Sequence, residues 1–259
     1  MPTEIIAELS TSHGGERAWQ EKLIASAAGA GADYVKFQSG QVAHLSKDDP
    51  QYGWMKQAEL SDRDHPRLIA SCAKAGVTFL TTVFHEDRVP FLAGLGMPAI
   101  KVGSGEAMRE PLLRAVAAHP WRVFLSTGLL TRDELELALA LLQGREVTLL
   151  HTVSCYPTLA VDANLRRIGW LAARTGLPVG YSDHTIGCDA ALVAIAWGVP
   201  VVEVHYALAG APRNRPWDKN EVELKRICDF RDVVQQVTIS GSMLKKVGAP
   251  RPFVGRWDA

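Results

Sequence analysis

The stretch VGYSDHTIGCDAALVAIAWGVPVVEVHY, residues 179–206, contains the same pattern twice. An apolar run ends with Ser-Asp-His at His184, and a second apolar run ends with Glu-Val-His at His205. The two runs lie about one βα unit apart, and the carboxyl ends of successive parallel strands meet at the same edge of a sheet. The stretch therefore predicts two adjacent parallel strands that hold two imidazoles side by side at one rim.

Runs of this kind alternate with helical patterns along the chain. Eight short apolar, β-branched runs are present, at residues 5–9, 34–38, 78–84, 99–103, 123–126, 147–153, 179–184 and 201–206. Helical patterns lie between them, for example at residues 17–30, 63–75, 132–142 and 165–174. Eight βα units in 259 residues predict an α/β fold, a closed (β/α)8 TIM barrel that forms a single domain. The alternative, an open doubly wound sheet, lacks a Gly-x-Gly-x-x-Gly turn after the first run.

The barrel domain is expected to occupy residues 1–259, with one long irregular connection and a terminal tail. Residues 39–61 separate the second run from its helix and predict a long loop or a lid over the barrel mouth. The last helical segment, at about residues 220–247, is followed by a Pro-rich tail at residues 249–259. We expect no second domain beyond that tail.

The charge balance and the cysteines bear on partners and compartment. The chain has 28 Lys and Arg residues against 28 Asp and Glu residues, so no net charge favours nucleic acid or an acidic membrane surface. No apolar run reaches the roughly 18 residues that a membrane span needs. Four widely spaced cysteines, with neither a Cys-x-x-Cys pair nor a secretory signal, predict reduced thiols and a cytoplasmic location.

The paired histidines predict a metal site. Neutral imidazole is the commonest protein ligand for divalent transition metals, and two ligands with open positions suit a catalytic ion better than a structural one. Either His184 or His205 alone would more often be a hydrogen-bonded residue of the core or the rim. Four other histidines are interpreted as surface residues: His44, His65, His85 and His119.

Polar residues interrupt almost every predicted strand, mostly near its carboxyl end, although parallel strands are buried on both faces. These residues are Glu8, Lys36, Gln38, Thr81, Thr82, Lys101, Ser126, His151, Ser182 and Glu203. The period of two places Lys36 with Gln38, Ser182 with His184, and Glu203 with His205 on common faces, which we expect to be the barrel interior. Active sites of this architecture form at that end of the barrel.

The two lysines, Lys36 and Lys101, indicate a pocket for a small phosphorylated anion. Hydroxyl groups that would support them come from Thr82, Ser104, Ser126 and Ser182. Charge and hydrogen bonds act together in such a buried site, and the Gly-Ser-Gly at 103–105 adds backbone N–H groups that can approach the ligand. The alternative is that the lysines merely neutralise buried carboxylates of Glu8, Glu106 or Glu203.

Seven short motifs carry a resemblance to a known family. They are IAE at 6–8, SHGG at 12–15, VKFQ at 35–38, KVGSGE at 101–106, LSTG at 125–128, YP at 156–157 and YSDHT at 181–185. In this order they resemble the N-acetylneuraminate (sialic acid) synthase family. The resemblance implies a (β/α)8 barrel that condenses phosphoenolpyruvate with an aldehyde sugar, usually an N-acylated hexosamine, and releases phosphate and a 2-keto-3-deoxy acid. It also implies a divalent ion, Mn²⁺ or Mg²⁺, and a homodimer.

The resemblance assigns roles residue by residue. It makes His184 and His205 the metal ligands, Glu8 and Glu106 acidic residues of the same pocket, and Gln38 with Tyr156 residues that face the sugar. The positions that match the phosphoenolpyruvate site are Lys36, Thr82, Lys101, Ser104, Ser126 and Ser182. In the implied mechanism the ion polarises the aldehyde oxygen, Glu8 stabilises positive charge at C2, and the ion or Glu106 helps water to add there.

The chain departs from the family pattern in the segments that recognise the sugar acceptor. The usual Gly-Pro-Asp segment is replaced by residues 211–218, in which Asp218 matches the aspartate loosely. The chain also ends where many relatives carry an antifreeze-like domain that helps to read the N-acyl group. Acceptor choice is therefore not inherited from the family, and Arg213, Arg215 and Trp217 are candidates for reading a different acceptor.

Two alternative functions fit the same fold. One is another metal-dependent barrel aldolase or isomerase of phosphorylated sugars, because barrels host many chemistries. The other is a non-catalytic homologue that binds a ligand for regulation. The first lacks a Schiff-base signature, and the second would not need to keep both histidines together with the lysines.

Overall fold

Eight parallel strands form a closed barrel in chain order, β1 to β8, in the computed structural model, which describes residues 2–237. The strands are Glu4–Glu8 (β1), Tyr34–Gln38 (β2), Thr78–Val83 (β3), Ala99–Val102 (β4), Arg122–Ser126 (β5), Glu146–His151 (β6), Val179–Asp183 (β7) and Val201–His205 (β8). The predicted (β/α)8 barrel is confirmed. The run at 179–184 ends one residue earlier than predicted, so His184 begins the loop after β7.

Helices on the outside of the barrel connect the strands. They are Arg17–Ala30 (α1), Tyr52–Ala58 (α2), Asp64–Ala75 (α3), Val89–Ala93 (α4), Glu110–Ala117 (α5), Arg132–Leu141 (α6), Arg166–Thr175 (α7), Asp189–Ala196 (α8) and Glu221–Val237 (α9). The rest of the predicted last helix, residues 238–247, and the predicted tail, 249–259, lie outside the described residues. Within residues 2–237, every helix is too short or too polar to cross a bilayer.

The register of the strands fixes which polar side chains become neighbours. Glu8 at the end of β1 pairs with Lys36 of β2 on one side and with His205 of β8 on the other. Thr82 of β3 pairs with Lys101 of β4, and Ser182 of β7 pairs with Glu203 of β8. The polar residues of separate strands therefore meet in one layer near the carboxyl ends.

Apolar packing fills the space on both sides of the strands below that layer. The main core lies between the strands and the helices, and it includes Leu23, Leu68 and Ile195. A second, smaller cluster consists of Ile6, Leu80, Ala99, Phe124, Leu150 and Val201. Because inward-facing side chains of a barrel of this size stack in layers, this cluster closes the interior below the polar layer. The polar residues are left facing the mouth.

The connection at 39–61 is more ordered than the predicted loop. It contains a 3-10 turn at Val42–His44 and the short helix α2. None of the residues from 40 to 57 is buried. Both ends of the connection are held by His65 of α3, whose Nδ1 lies 2.9 Å from the Ser61 carbonyl and whose Nε2 lies 2.7 Å from the Ser39 hydroxyl. The interpretation of His65 as a surface residue was wrong: its side chain is buried because it joins these two ends.

Candidate active site

A cavity of about 350 Å³ opens at the carboxyl ends of the strands. Twelve of the thirteen predicted site residues line it: Glu8, Lys36, Gln38, Thr82, Lys101, Ser104, Glu106, Ser126, Tyr156, Ser182, His184 and His205. The thirteenth, Asp218, lies behind His205 instead of on the cavity wall, with the two side chains 3.9 Å apart. We call this space the inner cavity.

Two buried lysines and two buried glutamates form one ionic network on the wall of the inner cavity. Lys36 Nζ lies 2.7 Å from Glu8 Oε2 and 3.4 Å from Glu203 Oε2, and it donates to the Thr82 hydroxyl at 2.8 Å. Lys101 Nζ lies 3.4 Å from Glu203 Oε1. Glu203 is thus shared by both lysines. The expected neutralisation of the lysines is present, and the amines still line the cavity.

The network sets the charge of its members. Burial of Glu203 disfavours its charged form. Lys101 and Lys36 outweigh burial and hold the pKa of Glu203 at about 2, so this carboxylate is ionised. Burial raises the pKa of Glu8 despite the attraction of Lys36. Burial lowers the pKa of Lys36, but Glu203 and Glu8 outweigh burial, and the pKa is raised overall. For Lys101, burial outweighs the attraction of Glu203, and the pKa is lowered overall. Both amines line a region shielded from water, where they can contact an anion.

The two predicted metal ligands lie next to each other at the carboxyl ends of β7 and β8. The ring centroids of His184 and His205 are 5.2 Å apart, with the rings tilted by 58°. His184 Nδ1 donates to the Val153 carbonyl at 2.8 Å, which leaves the Nε2 lone pair available. His205 Nδ1 is buried and makes no hydrogen bond within the described residues.

Both imidazoles are neutral at physiological pH. Burial lowers the pKa of His184 to about 4, although the Val153 carbonyl favours the charged form. Burial, helped by the nearby His184 and Arg215, also lowers the pKa of His205 well below its ordinary value. Two adjacent neutral imidazoles on the wall of a buried cavity, with the Nε2 lone pair of His184 oriented by its Nδ1 hydrogen bond, fit a divalent cation.

Asp218 and Arg215 support the rim behind His205. The backbone N–H and Nε of Arg215 donate to Asp218 Oδ2 at 2.7 and 3.0 Å. The two terminal nitrogens of Arg215 reach the hydroxyls of Ser10 and Ser12, each at 3.1 Å. Arg215 therefore ties the segment after β8 to the loop after β1, and Asp218 holds Arg215 in place.

The Gly-Ser-Gly turn at 103–105 brings backbone and side chains close together at the edge of the inner cavity. The Ser104 hydroxyl accepts from the Gly128 N–H at 3.1 Å. A Cβ at position 103 would overlap the Glu106 carboxylate, so only glycine allows Glu106 to fold back over this turn. Burial raises the pKa of Glu106, although Lys101 and Arg109 oppose the effect.

A wider space of about 710 Å³ lies outside the inner cavity, and we call it the vestibule. The two spaces share Gln38, Glu106, Tyr156 and His205. The Tyr156 ring packs against His184 and Trp217, with centroid distances of 4.1 and 5.5 Å. The vestibule is therefore continuous with the site of the two imidazoles, and an aromatic wall leads from one to the other.

Arg213, Arg215 and Trp217, the candidates for acceptor recognition, all line the vestibule. The Arg213 guanidinium lies 5.0 Å from the Trp54 ring and donates to the Thr11 hydroxyl at 3.2 Å. Trp54 belongs to α2, so the connection at 39–61 and the segment after β8 meet above the vestibule.

Residues 23–238 match the NeuB family. The chain belongs to the NeuB family. An N,N'-diacetyllegionaminic acid synthase of Campylobacter jejuni is 35% identical over 80% of this chain. An N-acetylneuraminate-9-phosphate synthase of Drosophila melanogaster is 32% identical over 79% of it. The chain spans 68% and 60% of the length of these two relatives.

The fold agrees with the same family. The crystal structure of an N-acetylneuraminic acid (sialic acid) synthetase from Leptospira borgpetersenii, in complex with citrate, superposes with a TM-score of 0.87 at 27% identity. The match covers 95% of this chain and 90% of that one. The resemblance seen in the seven motifs is confirmed, and it extends over the whole barrel.

Three residues of this NeuB-family site were not predicted as site residues. The spacing of two placed Glu203 beside His205 in the barrel interior, where it was expected at most to neutralise a lysine. It accepts from Ser182 at 2.9 Å and contacts both lysines. Thr152 and Ser154 also line the inner cavity, but they follow β6 in a loop without a periodic pattern.

Proposed function

We propose that this chain condenses phosphoenolpyruvate with an aldose-type aldehyde, giving a 2-keto-3-deoxy sugar acid and inorganic phosphate. One observation carries the proposal: two buried amines and two adjacent neutral imidazoles face the same inner cavity, which opens into a larger vestibule. The synthase names of the relatives support it.

The lysine side of the cavity is the seat for phosphoenolpyruvate. Lys36 and Lys101 supply positive charge for the phosphate and the carboxylate, and Ser104, Ser126 and Ser182 supply hydroxyl donors around them. Thr82 accepts from Lys36 and so orients its amine. The anion replaces water and is held where the field of the lysines is weakly screened.

The imidazole side is the seat for a divalent ion, Mn²⁺ or Mg²⁺, held by His184 and His205. When bound, the ion supplies Lewis-acid polarisation of the aldehyde oxygen. Gln38 and Tyr156 border both spaces, so they contact the sugar where it passes from the vestibule into the inner cavity. Gln38 is held by donation from Nε2 to Glu8 Oε1 at 2.9 Å.

Glu8 and Glu106 stabilise charge and accept protons during the reaction. The enol C3 forms a bond to the aldehyde carbon, whose oxygen takes up a proton from solvent water, and C2 gains cationic character that Glu8 stabilises. Water then adds to C2 and gives its proton to Glu106, whose raised pKa makes it a stronger base than an exposed glutamate. The C2–O bond to phosphate breaks as the new C2 hydroxyl loses its proton, which forms the keto group.

We also place the enzyme in the cytoplasm as a homodimer, without a nucleic acid or membrane partner. Reduced thiols support this location, since all four cysteines are free and three of them, Cys72, Cys188 and Cys228, are buried. Exposed apolar side chains at the barrel mouth support the dimer.

The test is release of phosphate from phosphoenolpyruvate, measured with and without a panel of N-acylated hexosamines and unsubstituted aldoses. We expect release only with an aldehyde, loss of release after chelation, and recovery with Mn²⁺ or Mg²⁺. His184→Ala should abolish release, whereas His119→Ala, far from the barrel mouth at the end of α5, should not. Release without an aldehyde, or undiminished turnover of the His184→Ala variant, would refute the proposal.

A further inference from the structure

A second group of metal-ligating side chains lies at the rim of the vestibule, outside the inner cavity. It consists of His44, His85 and Asp87, whose ligand atoms all lie within 4.8 Å of one another. His44 Nε2 lies 3.0 Å from Asp87 Oδ2, and His85 Nδ1 lies 3.1 Å from Asp87 Oδ1. Two imidazoles thus bring one nitrogen each close to a single carboxylate.

We propose that His44, His85 and Asp87 form a second metal site, which takes a transition ion of the Zn²⁺ class and fastens the connection at 39–61 to the loop after β3. Two imidazole nitrogens and one carboxylate are a donor set that Zn²⁺ uses, with the fourth position left to water or a ligand. We call this group the rim site.

The rim geometry fits an ion better than a simple hydrogen-bonded group. His85 Nδ1 is buried and makes no hydrogen bond within the described residues, although Asp87 Oδ1 is within reach, because the carboxylate lies off the line of a ring N–H. The two imidazole rings are stacked with centroids 3.8 Å apart and planes 17° from parallel, so an ion that binds both nitrogens requires one ring to turn about its side-chain bonds. An ion between the three groups would satisfy the unpaired nitrogen.

The neighbouring carboxylate is already engaged elsewhere. Glu86 Oε2 lies 3.8 Å from His85 Nδ1, farther than the Asp87 oxygen, and the same Oε2 accepts from Arg109 at 2.9 Å, so Asp87 is the nearer carboxylate for His85. The Asp87 side chain is half exposed and the histidine side chains are about a quarter exposed, which leaves a path for an ion to enter.

A metal at the rim would act on the one long connection. No residue between 40 and 57 is buried, so few contacts hold this segment against the barrel. His44 belongs to this segment and His85 to the loop after β3, and both line the vestibule. A bound ion therefore fixes the outer wall of the space through which the sugar acceptor enters, while the inner imidazoles remain separate from it.

The first test counts bound ions by equilibrium dialysis against Zn²⁺ followed by elemental analysis. The unsubstituted chain should hold two ions, the His44→Asn and His85→Asn variants one each, and the matched control His119→Asn two. The His184→Ala/His205→Ala variant should hold one ion, at the rim. Equal numbers in the unsubstituted chain and both rim variants would overturn the rim site, whatever the result for the inner pair.

The second test measures how often the connection at 39–61 opens, by limited trypsin cleavage at Lys47 and Lys56, which are exposed in it. With free Zn²⁺ at about ten times its Kd, opening of the segment should fall about tenfold in the unsubstituted chain, because the ion binds only the closed form. The His44→Asn variant should be cleaved at the same rate with and without Zn²⁺. If Zn²⁺ protects both proteins equally, the inference is wrong; circular dichroism spectra of the variants identify any that fail to fold.

Discussion

Glu203 decides the charge state of both lysines in the inner cavity. It lies 3.4 Å from each amine, and although burial lowers the pKa of Lys101, Glu203 is the largest influence that raises it. Without a carboxylate at this point, two buried cations would face each other. Glu203 is therefore a positioning residue for the phosphoenolpyruvate seat: it fixes the amines and their charge, and the amines contact the anion.

Replacement of Glu203 by glutamine should shift the pH dependence of turnover. The substitution removes the attraction that raises the pKa of Lys101, so this already lowered pKa falls further and the amine loses its proton at a lower pH. We expect the alkaline limb of kcat/KM for phosphoenolpyruvate to move down by on the order of one pH unit. The measurement is a pH profile of aldehyde-dependent phosphate release.

The matched control is Glu4→Gln. Glu4 lies at the opposite end of the barrel, where it pairs with Arg122 at 2.6 Å, and its loss should leave the alkaline limb in place. An unchanged alkaline limb in the Glu203→Gln variant would show that Lys101 does not depend on this carboxylate.

Strands β7 and β8 must approach closely to bring His184 and His205 together, and Gly180 permits this. A Cβ at position 180 would overlap the carbonyl oxygen and the Cγ1 of Val201, and backbone atoms cannot move aside without breaking the ladder. Gly180→Ala should lower the free energy of unfolding by about 3 kcal/mol. The midpoint of urea unfolding measures the change.

Gly29 provides the opposite case for comparison. It lies in α1, and no heavy atom of a neighbouring group lies within 4 Å of the position that an alanine methyl group would take. Gly29→Ala should therefore raise the free energy of unfolding by about 0.5–1 kcal/mol. Similar stabilities for the two variants would contradict the close approach of β7 and β8.

A buried ion pair joins β7 to the segment after β8. Lys219 is fully buried, lies 3.1 Å from Asp183 Oδ2, and donates to the Thr185 carbonyl at 2.6 Å. Lys219→Met should lower the free energy of unfolding by about 3–5 kcal/mol, since it leaves Asp183 as an unpaired buried charge.

The double variant Lys219→Met/Asp183→Asn separates this charge effect from packing. It should lose less stability than the sum of the two single variants, with a coupling of about 2 kcal/mol in urea unfolding. Additive losses would mean that the pair contributes nothing beyond its separate contacts.

The elements that could be predicted from the sequence are those whose pattern is periodic and whose role is repeated. The strand of Lys36 and Gln38 was predicted with its observed bounds, because apolar residues alternate with polar ones at a period of two. Helix α2 was missed because it has no buried stripe beyond Ala58. His65 was missed because its partners, Ser39 and Ser61, lie at the two ends of a long connection.

The same physical reason explains which parts of the site could be predicted. The residues of the inner cavity follow strands, so topology alone brings them together. Contacts between loops are different: the positions of Asp218 behind His205 and of His44 beside His85 depend on how connections of unrelated sequence fold over the mouth. No pattern in the sequence encodes those contacts.

At the scale of the whole molecule, one layer of the barrel interior provides stability and another provides the groups for chemistry. Apolar side chains such as Phe124 and Leu150 fill the lower interior, and the polar layer above them carries the ionic network. Burial of the charged groups is costly, and the closed sheet with its apolar core compensates for it. The inner cavity and the vestibule then lie one above the other along the route into the barrel.

The mouth of the barrel also carries an apolar surface next to the site. Leu159, Val161 and Ile186 are 63%, 83% and 64% exposed, although water disfavours such side chains. The loops that carry them lie side by side, since Thr158 pairs with Thr185 in a parallel bridge. This surface fits the proposed homodimer interface because an apolar face of one chain can be covered by the same face of a second copy.

Val161→Asp should therefore convert the dimer to a monomer, because a carboxylate in an apolar interface would be buried without a partner. Light scattering after size-exclusion chromatography should give twice the chain mass of 28.2 kDa for the unsubstituted protein and 28.2 kDa for the variant. The control is Val222→Asp, an exposed valine of α9 on the outside of the barrel, which should remain dimeric. If Val161→Asp stays dimeric, or the unsubstituted chain is monomeric, the surface around Val161 is not an interface between two copies.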